Sequence, residues 1–382
     1  MKYPRSIPAL AIVTAMAVPA AQAEIPIDMV AGSDISFEGL VQTDANWFQN
    51  DVVDLNGNGT NGDNSEFELR RAELVLKGKG PGYVDWVVGY DAKADKFLDT
   101  NVRYRFNGDS NHYLQVGQFK QPNSLEELSS TRNNDFISKA AVTNTYAVAR
   151  RLGVGYSYGN GPFSITASWF GRELTRDLAH GNGWGVRGTW APINDKGHLL
   201  HFGLAYARYD TATDEYRLRA RPDADLATVR LVDSGNLSDT GKVGTGSFEA
   251  LWVNGPFKLQ GEYYNSKVGR SNGHSDYTTS GYYLGALWNV TGETWGYKGG
   301  VVTTSAPAEP GRGMWQLGVR YDSLDLDDGA VKGGEMNAWT LGANYYWRSN
   351  YKVSLNYVMV NSERRGISDD PNILEARLQF HW

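Results

Sequence analysis

Ile373-Leu374-Glu375-Ala376-Arg377-Leu378-Gln379-Phe380-His381-Trp382 closes the chain. On an extended backbone Leu374, Ala376, Leu378, Phe380 and Trp382 share one face, and Glu375, Arg377, Gln379 and His381 share the other. The reason is that successive side chains of a strand point to opposite sides. One apolar face, one polar face and a terminal aromatic residue suit a strand standing between lipid and a wet lumen. The last strand of a soluble sandwich can carry the same alternation, so the rest of the chain has to decide.

The other end favours the membrane reading. Met1 to Ala23 reads as a secretory leader: Lys2 and Arg5 open it, Ile7 to Val18 is mostly apolar, and Ala21-Gln22-Ala23 offers a small-x-small cleavage site. The alternative is an N-terminal anchor, for which the apolar stretch is short of the roughly 20 residues that a helical span takes. The expected organisation is a leader over 1–23 and one β-barrel domain over 24–382, with no linker.

Composition agrees. There is no Cys, which excludes thiol catalysis, thiolate metal sites and disulfide staples. No apolar run after the leader approaches ~18 residues, so no helical span is expected. The chain holds 44 Gly, 22 Tyr and 12 Trp. Such a composition fits strands in which only alternate residues are apolar and in which Tyr and Trp gather at two interfaces. A net charge of −6 argues against nucleic acid as a partner.

Alternating runs recur between Gly-, Asn-, Asp- and Pro-rich punctuation. They lie near 36–48, 66–77, 83–92, 100–106, 112–120, 152–158, 163–171, 184–191, 200–209, 215–221, 246–253, 257–266, 281–290, 314–321, 336–347, 352–360 and 373–382. In 257–266, Phe257, Leu259 and Tyr263 oppose Lys258, Gln260 and Glu262. In 336–347, Trp339, Leu341, Ala343, Tyr345 and Trp347 oppose Thr340, Gly342 and Asn344. The run 215–221 is unlike a lipid-facing strand, since Arg217, Arg219 and Arg221 fill one of its faces. Single-chain bacterial barrels take an even strand number. Without 215–221, the expectation is an all-β, antiparallel transmembrane barrel of sixteen strands. Short turns are expected at one end, long loops at the other, and no helix.

Three features could carry function. The first is Arg217, Arg219 and Arg221 with Arg230 beyond. Guanidinium groups in a row repel unless they face water or an anion. The alternative is a solvated loop paired with Asp223 and Asp225. The second is Arg70-Arg71 inside a strand, where at least one must face the lumen. Its alternative is a salt bridge across to a residue such as Asp91. The third is the long segment 120–151, with Glu126, Glu127, Arg132, Asp135, Lys139, Arg150 and Arg151. Such insertions tend to be functional, and this one either folds into the lumen or lies outside.

Two motif matches carry little. Gly155-Tyr156-Ser157-Tyr158-Gly159 has the letters of a nucleophile elbow but lies along a strand. Asp54, Asn56, Asn58 and Gly59 begin like a calcium loop, yet position twelve is Ser65 and no helices are expected to flank it. No catalytic residue, metal site or cofactor is expected, and weak Ca²⁺ binding by loop 54–66 stays open.

Several stretches, taken in order, resemble the phosphate-selective porin family of O and P type. They are Phe37 to Asp44, Glu68 to Gly78, Tyr113 to Ala140, Arg150-Arg151-Leu152-Gly153, Arg187 to Asn194 with 197–209, Thr291-Gly292-Glu293, and Ala376 to Trp382. The resemblance implies a trimeric sixteen-stranded porin, with an arginine ladder leading anions to a constriction lined by Arg and Lys. Arg217, Arg219 and Arg221 match the ladder, and Arg70 and Arg71 match the paired strand arginines. Ser129, Ser130, Arg132 and Lys139 fall in the constriction loop. Two positions depart from the family's phosphate porins: Leu40 stands where an Arg is expected, and Glu127 where a Lys is expected.

The expected function is passive diffusion of small anions across the outer membrane, with phosphate and polyphosphate among the candidates. The alternative is a general porin for small hydrophilic solutes. Outer-membrane lipid and lipopolysaccharide are the expected surroundings, and a homotrimer the expected assembly. An outer-membrane hydrolase would share the barrel but lacks a base and nucleophile here. An adhesin or phage receptor would rest on the external loops.

Overall fold

A computed structural model describes residues 25–30, 33–57, 63–175, 181–304 and 306–382. The expected leader lies outside the described residues, as does the middle of the 54–66 loop.

Sixteen antiparallel strands form a closed barrel, and each corresponds to one of the sixteen runs read above. The first is Ser33–Gln49 (β1). Ser65–Lys79 (β2), Val84–Asp91 (β3), Lys96–Arg105 (β4), His112–Lys120 (β5) and Arg150–Asn160 (β6) follow. Phe163–Phe170 (β7), Gly183–Asp195 (β8), His198–Asp210 (β9), Thr240–Asn254 (β10) and Phe257–Arg270 (β11) continue the wall. Tyr277–Asn289 (β12), Met314–Asp328 (β13), Val331–Trp347 (β14), Tyr351–Arg364 (β15) and Asn372–His381 (β16) complete it. Strand β16 pairs with β1 from Leu40↔His381 to Gln49↔Asn372, which closes the sheet and leaves no open edge. A further strand, Ile25–Val30, adds to the start of β1.

The alternation read from the sequence sorts inside from outside. On β11, Phe257, Leu259 and Tyr263 are exposed on the outer wall, whereas Lys258, Gln260 and Glu262 are buried inside. On β16, Leu374 and Leu378 face out, and Glu375, Arg377 and Gln379 face in. The outward-facing aromatics form two rows. Phe257, Trp288, Trp315 and Tyr345 mark one, and Tyr263, Tyr282, Tyr321 and Trp339 the other. Exposed Leu259, Leu284, Leu317 and Leu341 lie between them. That is a lipid band between two interfacial girdles.

Two expectations need correction. The connection 290–313 belongs to the end with short turns, yet it is long and re-enters the barrel. Its hairpin pairs Gly296–Lys298 with Val301–Thr303. Trp295 and Val302 pack inside against Leu199, Leu251, Val253 and Leu287, and Arg187 Nη2 donates to the Gly300 carbonyl at 2.7 Å. Apolar lumen-facing residues at this end need a cover, and the hairpin supplies it. The chain also has helical turns, at Leu125–Leu128 (α1) and Ala141–Tyr146 (α2). Ser124 caps α1 by accepting from Glu127 N at 3.0 Å. Ser124-x-x-Glu127 is the sequence form of a capping box, the signal that a search for long helices passes over.

Segment 211–239 also folds inward. Its pairing is internal, Arg219–Ala220 with Val232–Asp233 and a bridge from Tyr216 to Leu237, so 215–221 is no barrel strand. Leu218, Ala220, Leu226, Ala227, Leu231 and Val232 pack on lumen-facing Val243, Tyr264, Met336, Val358 and Ile373 and on α2. The inner wall is therefore not uniformly polar: where two loops dock, it is apolar.

Candidate functional site: the constriction

The segment 121–149 crosses the lumen, and the inward-facing polar residues of the far wall hold it there. Arg320 (β13) donates to the Ser138 carbonyl at 2.9 Å, and Arg377 (β16) to the Ile137 carbonyl at 2.8 Å. Glu262 (β11) accepts from the Leu125 and Glu126 amides, both at 2.8 Å, and Asp322 (β13) accepts from the Ala141 amide at 2.6 Å. Lys258 (β11) pairs with Asp135. These contacts satisfy backbone groups that a buried loop would otherwise leave orphaned. Phe136 is seated on a floor of glycines. A Cβ at Gly318 or Gly342 would come within 3.1 or 3.0 Å of its ring, and the two glycines are direct cross-strand partners.

The loop presses the open space toward strands β1–β6, where three cavities follow one another along β2. The first, about 310 Å³, opens at the loop end and is lined by Arg70, Arg71, Lys139 and Arg150. The second, about 290 Å³, is lined by Leu40, Ser129, Ser130, Arg132 and Arg150. The third, about 440 Å³, opens toward the turn end past Lys77, Lys79, Arg103 and Arg187. Lys120 lines all three. Its Nζ donates to the carbonyls of Glu127 and Ser129, so it joins the wall to the loop at the narrowest stretch.

Both strand arginines face inward, and a bulge is the reason. Gln42 pairs with Arg71 and Thr43 with Leu69, which leaves Arg70 without a partner. The extra residue resets the alternation. Arg70 binds Asp225 through Nε and Nη2 at 3.2 and 2.9 Å. Burial works against the Asp225 charge, but Arg70, Arg377 and Arg71 together hold its carboxyl at about 2. Arg71 pairs with Glu73 at 3.3 Å and lies 3.9 Å from Asp91.

In segment 211–239 the arginines alternate with buried Leu218 and Ala220, as their parity demanded. The acids expected to neutralise them are engaged elsewhere: Asp223 pairs with Arg320 and Asp225 with Arg70. Arg217 is paired with Asp233. Among the described residues, Arg219 and Arg221 have no ion pair within 4.0 Å. Arg230 is pushed down to about 10, by burial first and then by Arg221 and Arg219. These three cations share one neighbourhood, in which Asp225 and Glu68 act on Arg221 and Asp233 on Arg230 at longer range than an ion pair.

The remaining candidates separate. Arg150 takes Asp99 through Nε and Nη2, both at 3.2 Å. Arg151 turns away from the cavities, donates to the Gly171 carbonyl at 3.3 Å, and lies over Phe170 and Tyr209. Arg132 stands 3.9 Å from Glu38. Lys139 is bound by Glu127, which also lies 3.8 Å from Lys120. Burial alone would raise the Glu127 carboxyl, but Lys139 and Lys120 hold it at about 2. Leu40 shares the inward face with Glu38, Gln42 and Asp44. Both departures noted in the sequence thus fall in the constriction. Sequence reading missed Lys77, Lys120, Arg187, Arg320 and Arg377. Strand parity alone assigns Arg377 to the inner face; the loop it holds is not visible in parity.

Ser157 faces a hydroxyl, Thr166 Oγ1, at 3.0 Å, so the G-x-S-x-G letters sit on plain strand. Among the described residues no cluster of three His, Cys, Asp or Glu could hold a metal ion.

The family model for phosphate-selective porin O and P matches residues 41–382. The chain belongs to that family. An uncharacterised protein of Caulobacter vibrioides is 30% identical over 351 residues, covering 82% of this chain and 68% of that one. Porin O of Pseudomonas aeruginosa is 24% identical over 372 residues, covering 85% and 83%. Among solved structures, the outer-membrane protein OmpT of Vibrio cholerae superposes with a TM-score of 0.60 at 12% identity, over 93% of this chain and 99% of that one. The anion-selective porin from Comamonas acidovorans gives 0.56 at 15% identity, over 92% and 100%. These two likenesses show the fold. With the family and the closed barrel, the protein is a porin of the bacterial outer membrane.

Proposed function

We propose that this porin passes small anions along one cationic side of its lumen. The observation that carries the reading is the order of positive groups: Arg219, Arg221 and Arg230 at the mouth, then Arg70 and Arg71, then Lys139 and Arg150, then Lys120 and Arg132, and Lys77 beyond the constriction. Selectivity then comes from charge at a narrow point, with binding weak enough to permit exit. The anion-selective neighbour and the phosphate-selective family support the sign. Affinity for phosphate is weak in this reading, because Glu127 occupies Lys139 and Leu40 offers no donor. A general porin is the second reading, favoured by the carboxylates Glu38, Glu73 and Asp99 beside the constriction. The protein assembles as a homotrimer in lipid and lipopolysaccharide, a reading supported by the trimer form of the Vibrio cholerae neighbour. Reversal potentials across bilayers in a KCl gradient test the ion preference; a cation preference would overturn it. A stable monomer mass in mild detergent would overturn the trimer.

A further inference from the structure

The middle cavity is not built like a phosphate cage. A phosphate oxyanion is surrounded by oxygens and needs donors on every side. Here one wall is apolar. Leu40 on β1, Val75 on β2, Val87 on β3 and Leu98 on β4 line it from four consecutive strands, with Leu128 of the crossing loop opposite. Leu40 and Leu98 are otherwise enclosed, so this wall is a fixed part of the constriction. It interrupts the polar inner face at the point where charge selection takes place.

The charge count is equally informative. Lys77, Lys120, Arg132 and Arg150 line the cavity, together with Glu38, Glu73 and Asp99. Lys77 is bound to Glu38, and Arg150 to Asp99. Lys120 is turned onto loop carbonyls. Arg132, partly exposed, shares Glu38 with Lys77 at a loose 3.9 Å and is the least tightly engaged of the four cations. A dianion passing here finds Lys77, Lys120 and Arg150 already engaged and Arg132 shared with Glu38. A monoanion with an apolar body meets Arg132 at one end and the Leu40–Val75–Val87–Leu98 wall along its side. Contact of that body with the wall removes apolar area from water on the permeant and on half-buried Val75 and Val87, while buried Leu40 and Leu98 back the contact.

We infer that the constriction selects small organic monoanions, carboxylates carrying an aromatic or comparably large apolar body, over inorganic phosphate. This rests on the anion-porin reading and narrows its substrate class. Leu40, read from the sequence as a lost cation, becomes a specificity-determining contact.

The test uses the full-length porin in planar bilayers. Chloride current is titrated with benzoate, acetate and inorganic phosphate, and the reversal potential is read on the same membranes. Benzoate should reduce the current at roughly tenfold lower concentration than acetate or phosphate. Leu40→Asn should remove that advantage. Val75→Thr on the neighbouring strand should do the same in part, and stands in if Leu40→Asn fails to fold. Phosphate acting at or below the benzoate concentration would overturn the inference, as would a benzoate advantage that survives both substitutions. A cation preference would instead overturn the anion reading itself, so the two failures are distinguishable.

Discussion

Arg377 and Asp44 are direct register partners across the seam between the last and first strands. They form two hydrogen bonds, Nε to Oδ1 and Nη2 to Oδ2, each at 2.6 Å. Both side chains are buried, and the remaining Nη1 of Arg377 holds the Ile137 carbonyl of the crossing loop. One guanidinium therefore closes the barrel and fixes the constriction. Arg suits this place because its planar fork matches a carboxylate while leaving a further donor free.

Replacing Arg377 by Met should cost about 3–5 kcal/mol, because Asp44 would stay buried without its cation. The folded band should convert at lower temperature on a heated gel. The loop should loosen, and single-channel conductance should rise. An unchanged conversion temperature would show that the seam does not need the pair.

Glu127→Gln should release Lys139 to the lumen and strengthen both anion preference and phosphate block, while Lys120 stays on the Glu127 and Ser129 carbonyls. Because the Glu127 carboxyl is held below its ordinary 4.5, at about 2, the pair is complete above about pH 4.5 and is lost only as pH falls toward 2. The difference between Glu127→Gln and the unmodified channel should therefore hold constant from about pH 6 to pH 5. A difference that vanishes within that range would place the carboxyl outside the lysine pair.

Arg219→Ala, Arg221→Ala and Arg230→Ala combined should lower anion current, more at low salt than at high salt, since exposed charge acts through a screened field. Arg217→Ala alone should change little, because Asp233 already neutralises it. Equal effects from the two variants would dissolve the distinction between paired and unpaired arginines.

Gly342→Val should drive a side chain into the Phe136 ring, which already lies 3.0 Å from where a Cβ would stand. Overpacking of this kind costs about 1–3 kcal/mol. Conductance should rise as the loop leaves its seat while the barrel stays folded. Phe136→Ala should relieve the clash in the double variant; a conductance unaffected by either change would remove Phe136 as the loop's anchor.

The barrel was legible residue by residue. Every wall strand matched an alternating run, and the single run with arginines on one face was excluded correctly. A side-chain period of two needs no partner to be read. Strand parity likewise put Glu375, Arg377 and Gln379 inside and Leu378 outside. A barrel facing lipid allows no other assignment, since an arginine at the bilayer midplane costs about 2–4 kcal/mol.

The constriction was legible only as a list of residue types. That Arg70 and Arg71 both face inward depends on a bulge, which moves the outward apolar positions from Phe67 and Leu69 to Ala72, Leu74 and Leu76, a phase change that a search for one unbroken alternation passes over. That Asp223 and Asp225 pair with Arg320 and Arg70, rather than with the arginines beside them, depends on how segment 211–239 lies across the lumen. The re-entrant hairpin at 290–313 read as a connection because its partners, Arg187 and Leu251, are distant in sequence. Local periodicity is set by the backbone and survives in the sequence by itself. The position of a loop inside a barrel is set by long-range pairings between wall and loop, and only the tertiary structure brings those residues together.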